Sequence, residues 1–144
     1  MNKEIIQNKT DFNSPLSAGS RTDYEIMAPA GSWESLSAAI KAGADSVYFG
    51  IENLNMRSKS SSNFSTADLR EIVRICNENK VKSYLTVNTI LYDNDLNLMR
   101  EIIDVAKESK VSAVICADVA ALMYANSISV EVHLSTQLNI SNVE

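Results

Sequence analysis

Several residue types are scarce in this chain of 144 residues, and each scarcity excludes a class of protein. Its two cysteines, Cys76 and Cys116, are too few for a disulfide scaffold. Its single histidine, His133, excludes a histidine-rich metal site built from this chain alone, so no metal ligands are expected. No apolar run approaches the roughly 18–20 residues of a membrane span, and residues 1–22 lack the apolar centre of a signal peptide. We therefore expect a cytoplasmic protein with no membrane partner.

The remaining composition is that of a globular domain. Hydrophobic residues make up 45% of the chain and charged residues 22%, which is enough apolar material for a core. The formal net charge of −5 argues against broad, charge-driven nucleic-acid binding, although a local basic patch can override a total.

The chain divides into a leader and a domain. Residues 1–22 are polar and show no sustained period of 2 or 3.6, which predicts a disordered leader. From residue 23 to residue 144, short β-rich apolar runs alternate with stretches of helical spacing, the pattern of consecutive βα units. The predicted strands are Glu25–Pro29, Ser46–Gly50, Lys82–Ile90, Ala113–Asp118 and Val130–Ile140.

Five strands in this order fit two α/β architectures. One is a complete doubly wound sheet, and the other is a little over half of an eight-stranded (β/α) barrel of the TIM type. Half a barrel leaves two raw sheet edges, so the barrel reading implies a truncated chain. Spacing alone leaves both open.

Polar side chains gather near the predicted strand ends, where ligands bind in both folds. The predicted fifth strand has an apolar face and, on its other side, four polar groups. Burying polar groups costs free energy unless they bond a ligand, each other or water. The candidate residues are Tyr48, Asn88, Asp118, His133, Ser135 and Gln137. Each also has a structural interpretation: loop hydrogen bonds for Asn88 and Gln137, a helix cap for Asp118, a core imidazole for His133.

Three further motifs are weaker. A triad of Ser135, His133 and Asp118 is disfavoured because the serine and histidine are neighbours on one strand and no G-x-S-x-G elbow is present. The turn at residues 30–32 opens a helix and is a weak phosphate-binding candidate. The loop at residues 53–64 contains two cations, one of them Arg57, and no acid, so it is either a phosphate or carboxylate contact or an ordinary solvated loop.

Five segments together resemble the collagenase-like peptidase family U32. They are EIMAPAGSWESLSAAIKAGADSVYFG at 25–50, LNMR at 54–57, NFS at 63–65, YLTVNTI at 84–90 and HLSTQLNISN at 133–142. The resemblance implies a TIM-type (β/α) barrel, of which residues 23–144 would be the N-terminal portion with about five parallel strands.

The resemblance implies more than one chemistry. Members of the family carry a peptidase label, whereas others resemble RNA-modifying factors that hydroxylate a tRNA wobble uridine or an rRNA cytidine, with prephenate linked to the tRNA reaction. Further relatives hydroxylate quinones with an iron–sulfur cluster whose cysteines lie further along the chain. Cys76 and Cys116 do not stand in for those cysteines, so no cofactor is expected within these residues.

The leading hypothesis is therefore a tRNA hydroxylation protein, and tRNA or another RNA is the expected partner. The alternatives are a collagenase-like peptidase acting on peptides and a truncated, non-catalytic binding module. His133 and Asp118 are the predicted catalytic residues. The predicted substrate-binding residues are Arg57, Tyr48, Asn88, Ser135 and Gln137.

Overall fold

The computed structural model describes residues 24–52, 54 and 64–142. The predicted leader at 1–22 and Arg57 lie outside these residues. The strands are β1 (Met27–Pro29), β2 (Ser46–Phe49), β3 (Lys82–Val87), β4 (Ala113–Cys116) and β5 (Val132–Leu134). The helices are α1 (Trp33–Lys41), α2 (Thr66–Glu78), α3 (Leu96–Glu108) and α4 (Val119–Ser127). Two short 3₁₀ turns cover Asp93–Asp95 and Thr136–Leu138.

The five strands form one parallel sheet in the order β1-β2-β3-β4-β5. A doubly wound sheet reverses its strand order at a switch point, whereas strands of a (β/α) barrel follow one another in sequence. No reversal occurs between β1 and β5 in the described part of the chain. The prediction of an α/β fold with five parallel strands is confirmed, and the order is consistent with a barrel.

The two faces of the sheet differ in chemistry because side chains alternate along each strand. One face packs against the helices and forms the core, with Val47, Leu85 and Val114 each 0% exposed. The register puts Tyr48 beside Tyr84 and His133 beside Ile115 on the opposite face. We call this second surface the open face.

Capping boxes begin the first two long helices. Ser65 accepts a hydrogen bond from the Asp68 N–H at 3.3 Å, and the Asp68 carboxylate accepts one from the Ser65 N–H at 2.7 Å. Ser65 and Asp68 therefore form a capping box on α2, and Ser32 and Ser35 make an equivalent box on α1. Each box satisfies two backbone donors that the first helical turn leaves unpaired.

The four helices in the described residues end in the same way. The second residue after each helix is left-handed: Gly43 (φ 82°), Lys80 (φ 58°), Lys110 (φ 60°) and Ser129 (φ 61°). The next residue then donates its N–H to a carbonyl five residues back, as Val81 does to Cys76 and Val130 to Ala125, both at 2.9 Å. This is the Schellman motif, and it turns each helix directly into the next strand.

All five strands are shorter than predicted, and the third and the fifth differ most. The third was predicted over Lys82–Ile90 but ends at Val87, and the fifth was predicted over Val130–Ile140 but covers only Val132–Leu134. The fifth strand ends because the chain turns into the 3₁₀ segment, where Leu138 donates to the Ser135 carbonyl at 3.1 Å. Gln137 therefore lies on a turn rather than on the strand.

Among the described helices, none is long and apolar enough to cross a bilayer.

Candidate functional site

Three predicted residues meet at the carboxyl ends of β3 and β5. The Asn88 Nδ2 donates to Gln137 Oε1 at 3.5 Å, and the Ser135 hydroxyl donates to the same oxygen. We call Asn88, Ser135 and Gln137 the amide cluster. Asn88 directly follows β3, and Ser135 directly follows β5, so the cluster lies beyond the strand ends at which parallel sheets bind ligands.

The backbone holds this cluster in place. Ser135 donates its N–H to the Cys116 carbonyl at 2.8 Å, which ties the end of β5 to the end of β4. Ser135 is 8% exposed, whereas Gln137 is exposed on the turn that follows. The cluster therefore has a buried anchor and a solvent-facing amide.

Asp118 follows β4 at the same edge but takes the role of a helix cap. Its Oδ1 accepts the Ala120 N–H at 2.8 Å, and its backbone is extended, as an N-cap requires. The geometry therefore shows the structural role of Asp118, which is that of a helix cap. Its catalytic assignment stays a prediction that no contact here supports.

His133 lies one layer below the amide cluster, on the open face. Its ring centroid is 4.9 Å from that of Tyr84, and its Nε2 is 3.2 Å from Glu131 Oε1. Strand β4 lies between these two rings, with Ala113 in register with Tyr84 and Ile115 in register with His133. His133 makes no hydrogen bond to Ser135 among the described residues, so the serine and histidine of a triad are not paired.

The remaining predicted residues lie apart from the cluster. Tyr48 is half-buried on the open face of β2, beside Tyr84. Arg57 and most of its loop lie outside the described residues, although a bridge between Ile51 and Phe64 joins the loop's two ends. The structure thus brings together three of the seven predicted residues.

Sequence reasoning missed a polar cluster at the opposite ends of the strands. The Glu25 carboxylate accepts hydrogen bonds from Lys82 Nζ at 2.6 Å and from the Tyr84 hydroxyl at 2.8 Å. The hydrogen bond from Lys82 is the main cause that lowers the pKa of Glu25, to about 2. The signal in the sequence was a pair of opposite charges, Glu25 two residues before β1 and Lys82 at the start of β3. We call Glu25, Lys82 and Tyr84 the Glu25 cluster. In a (β/α) barrel this end serves stability rather than chemistry.

Other candidate groups are already satisfied. Gly31 and Ser32 donate their N–H groups to Ser35 Oγ at 3.0 and 2.9 Å, so the turn at 30–32 does not offer them to a phosphate.

Burial raises the pKa of both Cys76 and Cys116 to about 11, which keeps these thiols protonated at neutral pH. No three His, Cys, Asp or Glu side chains in the described ranges could together hold a metal ion. These residues do not fit an iron–sulfur cluster, which requires thiolate ligands.

The chain is similar to proteins that carry different functional names. It is 68% identical over 122 residues to a protein named collagenase from Porphyromonas gingivalis strain W83, a match covering 85% of this chain and 30% of that protein. It is 31% identical over 121 residues to tRNA hydroxylation protein P from Helicobacter pylori strain 26695, covering 83% of this chain and 29% of that protein. The chain therefore spans about a third or less of the length of these curated relatives.

A solved structure of a U32 peptidase shares the fold. It superposes with a TM-score of 0.58 at 12% sequence identity, over 85% of this chain and 52% of the other. The family model described as Peptidase family U32 matches residues 31–144, which is most of the chain. This chain belongs to peptidase family U32.

Proposed function

We propose that this chain is part of an enzyme that hydroxylates the wobble uridine of tRNA, and that the amide cluster binds the substrate. The observation that carries the proposal is the meeting of Asn88, Ser135 and Gln137 beyond the ends of β3 and β5. Amide and hydroxyl side chains read the edges of bases through paired donors and acceptors. An exposed amide on a fixed turn is suited to that task.

The similarity to tRNA hydroxylation protein P supports the same proposal. In the proposed enzyme, His133 and Tyr48 line the open face below the amide cluster. Arg57 contacts a phosphate or a carboxylate co-substrate such as prephenate. Any iron–sulfur cluster would be bound by residues outside this chain, so we assign it no step here.

The proposal is tested by deleting the full-length gene and measuring hydroxylated wobble uridine by nucleoside mass spectrometry. We expect the modified nucleoside to disappear and to return on complementation with the wild-type gene. A complementing Asn88→Ala variant should restore it poorly, because the amide cluster loses a donor. Asn126→Ala, on an exposed position of α4, is the matched control and should restore it fully. Unchanged modification in the deletion strain refutes the assignment.

A second candidate is peptide hydrolysis, favoured by the 68% identity to the protein named collagenase. The described geometry gives this reaction little support, because the Ser135 hydroxyl donates to Gln137 and the His133 Nε2 faces Glu131. Purified full-length protein that cleaves gelatin, and loses this activity on Ser135→Ala or His133→Ala, would favour the peptidase over the RNA enzyme.

A further inference from the structure

Glu52 lies at the carboxyl end of β2, where the loop at residues 53–64 begins, and it is half-buried. Its φ is 48°, a left-handed conformation that costs free energy in a residue with a Cβ atom. The other residues with a positive φ in the described part of the chain follow a helix or a 3₁₀ turn, whereas Glu52 follows a strand. A backbone strained in this way persists only where its surroundings hold it.

Both the backbone and the side chain of Glu52 contact the far end of the loop. Its N–H donates to the Phe64 carbonyl at 2.9 Å, next to the parallel bridge between Ile51 and Phe64. Its Oε1 accepts the N–H of Thr66, the first residue of α2, at 3.3 Å, and the Thr66 hydroxyl lies 3.5 Å from the same oxygen. The first N–H groups of a helix lack partners within the helix and attract negative charge, so a carboxylate is suited to this position.

The far end of the loop is itself fixed in the core. Phe64 is 5% exposed, and its ring meets those of Trp33 and Phe49 edge to face, with centroids 5.3 and 6.4 Å away. Leu54, near the other end of the loop, is also buried in the core. Glu52 therefore ties the end of β2 to a fixed point at the start of α2.

We propose that Glu52 is a positioning residue, which joins the two ends of the loop at residues 53–64 and so presents Arg57 to a phosphate of the RNA. This inference rests on the proposed function, since that function assigns an anion contact to Arg57. A carboxylate co-substrate carries the same kind of charge, and the experiment below distinguishes it from a phosphate.

Three variants of the full-length protein separate positioning from general stability. Glu52→Ala removes the carboxylate but keeps the Cβ, so the cost of the left-handed backbone is unchanged. Glu52→Gln keeps an oxygen that accepts the Thr66 N–H and should behave as wild type. Asp45→Ala is the matched control, because the half-buried Asp45 accepts the Ile26 N–H at 2.8 Å at the opposite ends of the strands. It removes the same charge and a structural hydrogen bond without touching the loop.

The first measurement is hydrogen–deuterium exchange without RNA, which does not depend on the proposed function. Glu52→Ala should speed exchange in peptides covering residues 53–66 by about tenfold, the effect of losing one hydrogen bond to a charged group. Glu52→Gln and Asp45→Ala should exchange in these peptides at the wild-type rate. Unchanged exchange in Glu52→Ala overturns the joining role of Glu52.

The second measurement is the dissociation constant for an unmodified tRNA transcript at fixed salt, because phosphate contacts make affinity salt-dependent. Arg57→Ala and Glu52→Ala should each weaken binding by about tenfold, and the double variant should be no weaker than either one. Asp45→Ala and Glu52→Gln should bind as wild type. Additive losses in the double variant overturn the proposal, because Glu52 then acts independently of Arg57.

The remaining outcomes separate this proposal from the proposed function. If Arg57→Ala binds tRNA as wild type but fails to restore the modified nucleoside in the deletion strain, Arg57 contacts a carboxylate co-substrate and the phosphate contact is overturned. Failure of the wild type to bind tRNA overturns the proposed function, and the exchange result then decides the joining role of Glu52 by itself.

Discussion

At the scale of single residues, alternation along the fifth strand predicted that four polar side chains share one face, and the structure separates them. Glu131, His133, Ser135 and Gln137 read as one polar face of a long strand, but β5 ends at Leu134. His133 therefore stays on the open face, while Ser135 and Gln137 turn over the strand end to meet Asn88. The residue types were predictable. The separation of His133 from Ser135 and Gln137 was not predictable, because it depends on where the backbone pairing between β4 and β5 ends.

The Glu25 cluster leads to a prediction on pH dependence. The folded pKa of Glu25, about 2, lies below its ordinary value of 4.5, so its stabilisation is complete above pH 4.5 and is lost as pH falls toward 2. Glu25→Gln should lower the free energy of unfolding at pH 7 by less than about 1 kcal/mol, since Lys82 is largely exposed. The variant should also lose less stability than wild type between pH 4.5 and pH 2.

Urea unfolding of the full-length protein at pH 7, 4 and 3 measures both effects. Glu101→Gln removes an exposed carboxylate on α3 that makes no ion pair within the described part of the chain, and it is the matched control. If Glu25→Gln and wild type lose stability in parallel as the pH falls, the Glu25 cluster does not act as described.

At the scale of elements, the sequence was informative about where helices begin and end. Ser65 and Asp68 have the spacing of a capping box at the start of α2, and the apolar residues Leu69, Ile72 and Val73 form the buried face of that helix. Among the four left-handed positions that follow the described helices, only Gly43 is a glycine, the residue type that predicts this conformation. Lys80, Lys110 and Ser129 take the same conformation without glycine, so tertiary packing of the following strand, not local preference, sets those ends.

The non-glycine helix ends lead to a second prediction. Lys110 is exposed and has a φ of 60°, a conformation that costs a residue with a Cβ atom about 1–2 kcal/mol. Lys110→Gly should raise the free energy of unfolding by about 0.5–1 kcal/mol, because the relieved strain exceeds the added entropy of the unfolded chain. Lys110→Ala retains the Cβ and should show no such gain. A loss of stability in Lys110→Gly, measured by urea unfolding, would contradict this account of the α3 end.

At the scale of the whole molecule, the sequential strand order explains why the candidate site lies at one end. Every strand runs the same way, so the residues that follow β3, β4 and β5 share one edge. The sequence predicted this parallel α/β arrangement from its alternating patterns. The spacing of these patterns did not choose between the doubly wound and barrel orders, because strand neighbours depend on contacts between distant elements, and only the family resemblance implied the barrel.

The outer strands lead to a third prediction. β1 and β5 each pair with one strand only in the described sheet, and Met27 and Leu134 on them are 44% and 53% exposed. Exposed apolar edge strands associate with other chains. The 144-residue chain prepared alone should therefore self-associate, and Leu134→Lys should shift it toward monomer in light scattering after size-exclusion chromatography. Val119→Lys, at an exposed apolar position on α4, is the control, and an equal shift in both would rule out an edge effect.

The central claim is that substrate binds at the amide cluster, beyond the carboxyl ends of the strands. Hydrogen–deuterium exchange of the full-length protein with and without unmodified tRNA tests it most directly. Binding should slow exchange in peptides covering residues 88–92 and 135–139, and leave peptides around Glu25 and Lys82 unchanged. Slowed exchange around Glu25 and Lys82 alone, with no change at 135–139, would place the substrate at the wrong end of the sheet and contradict the account.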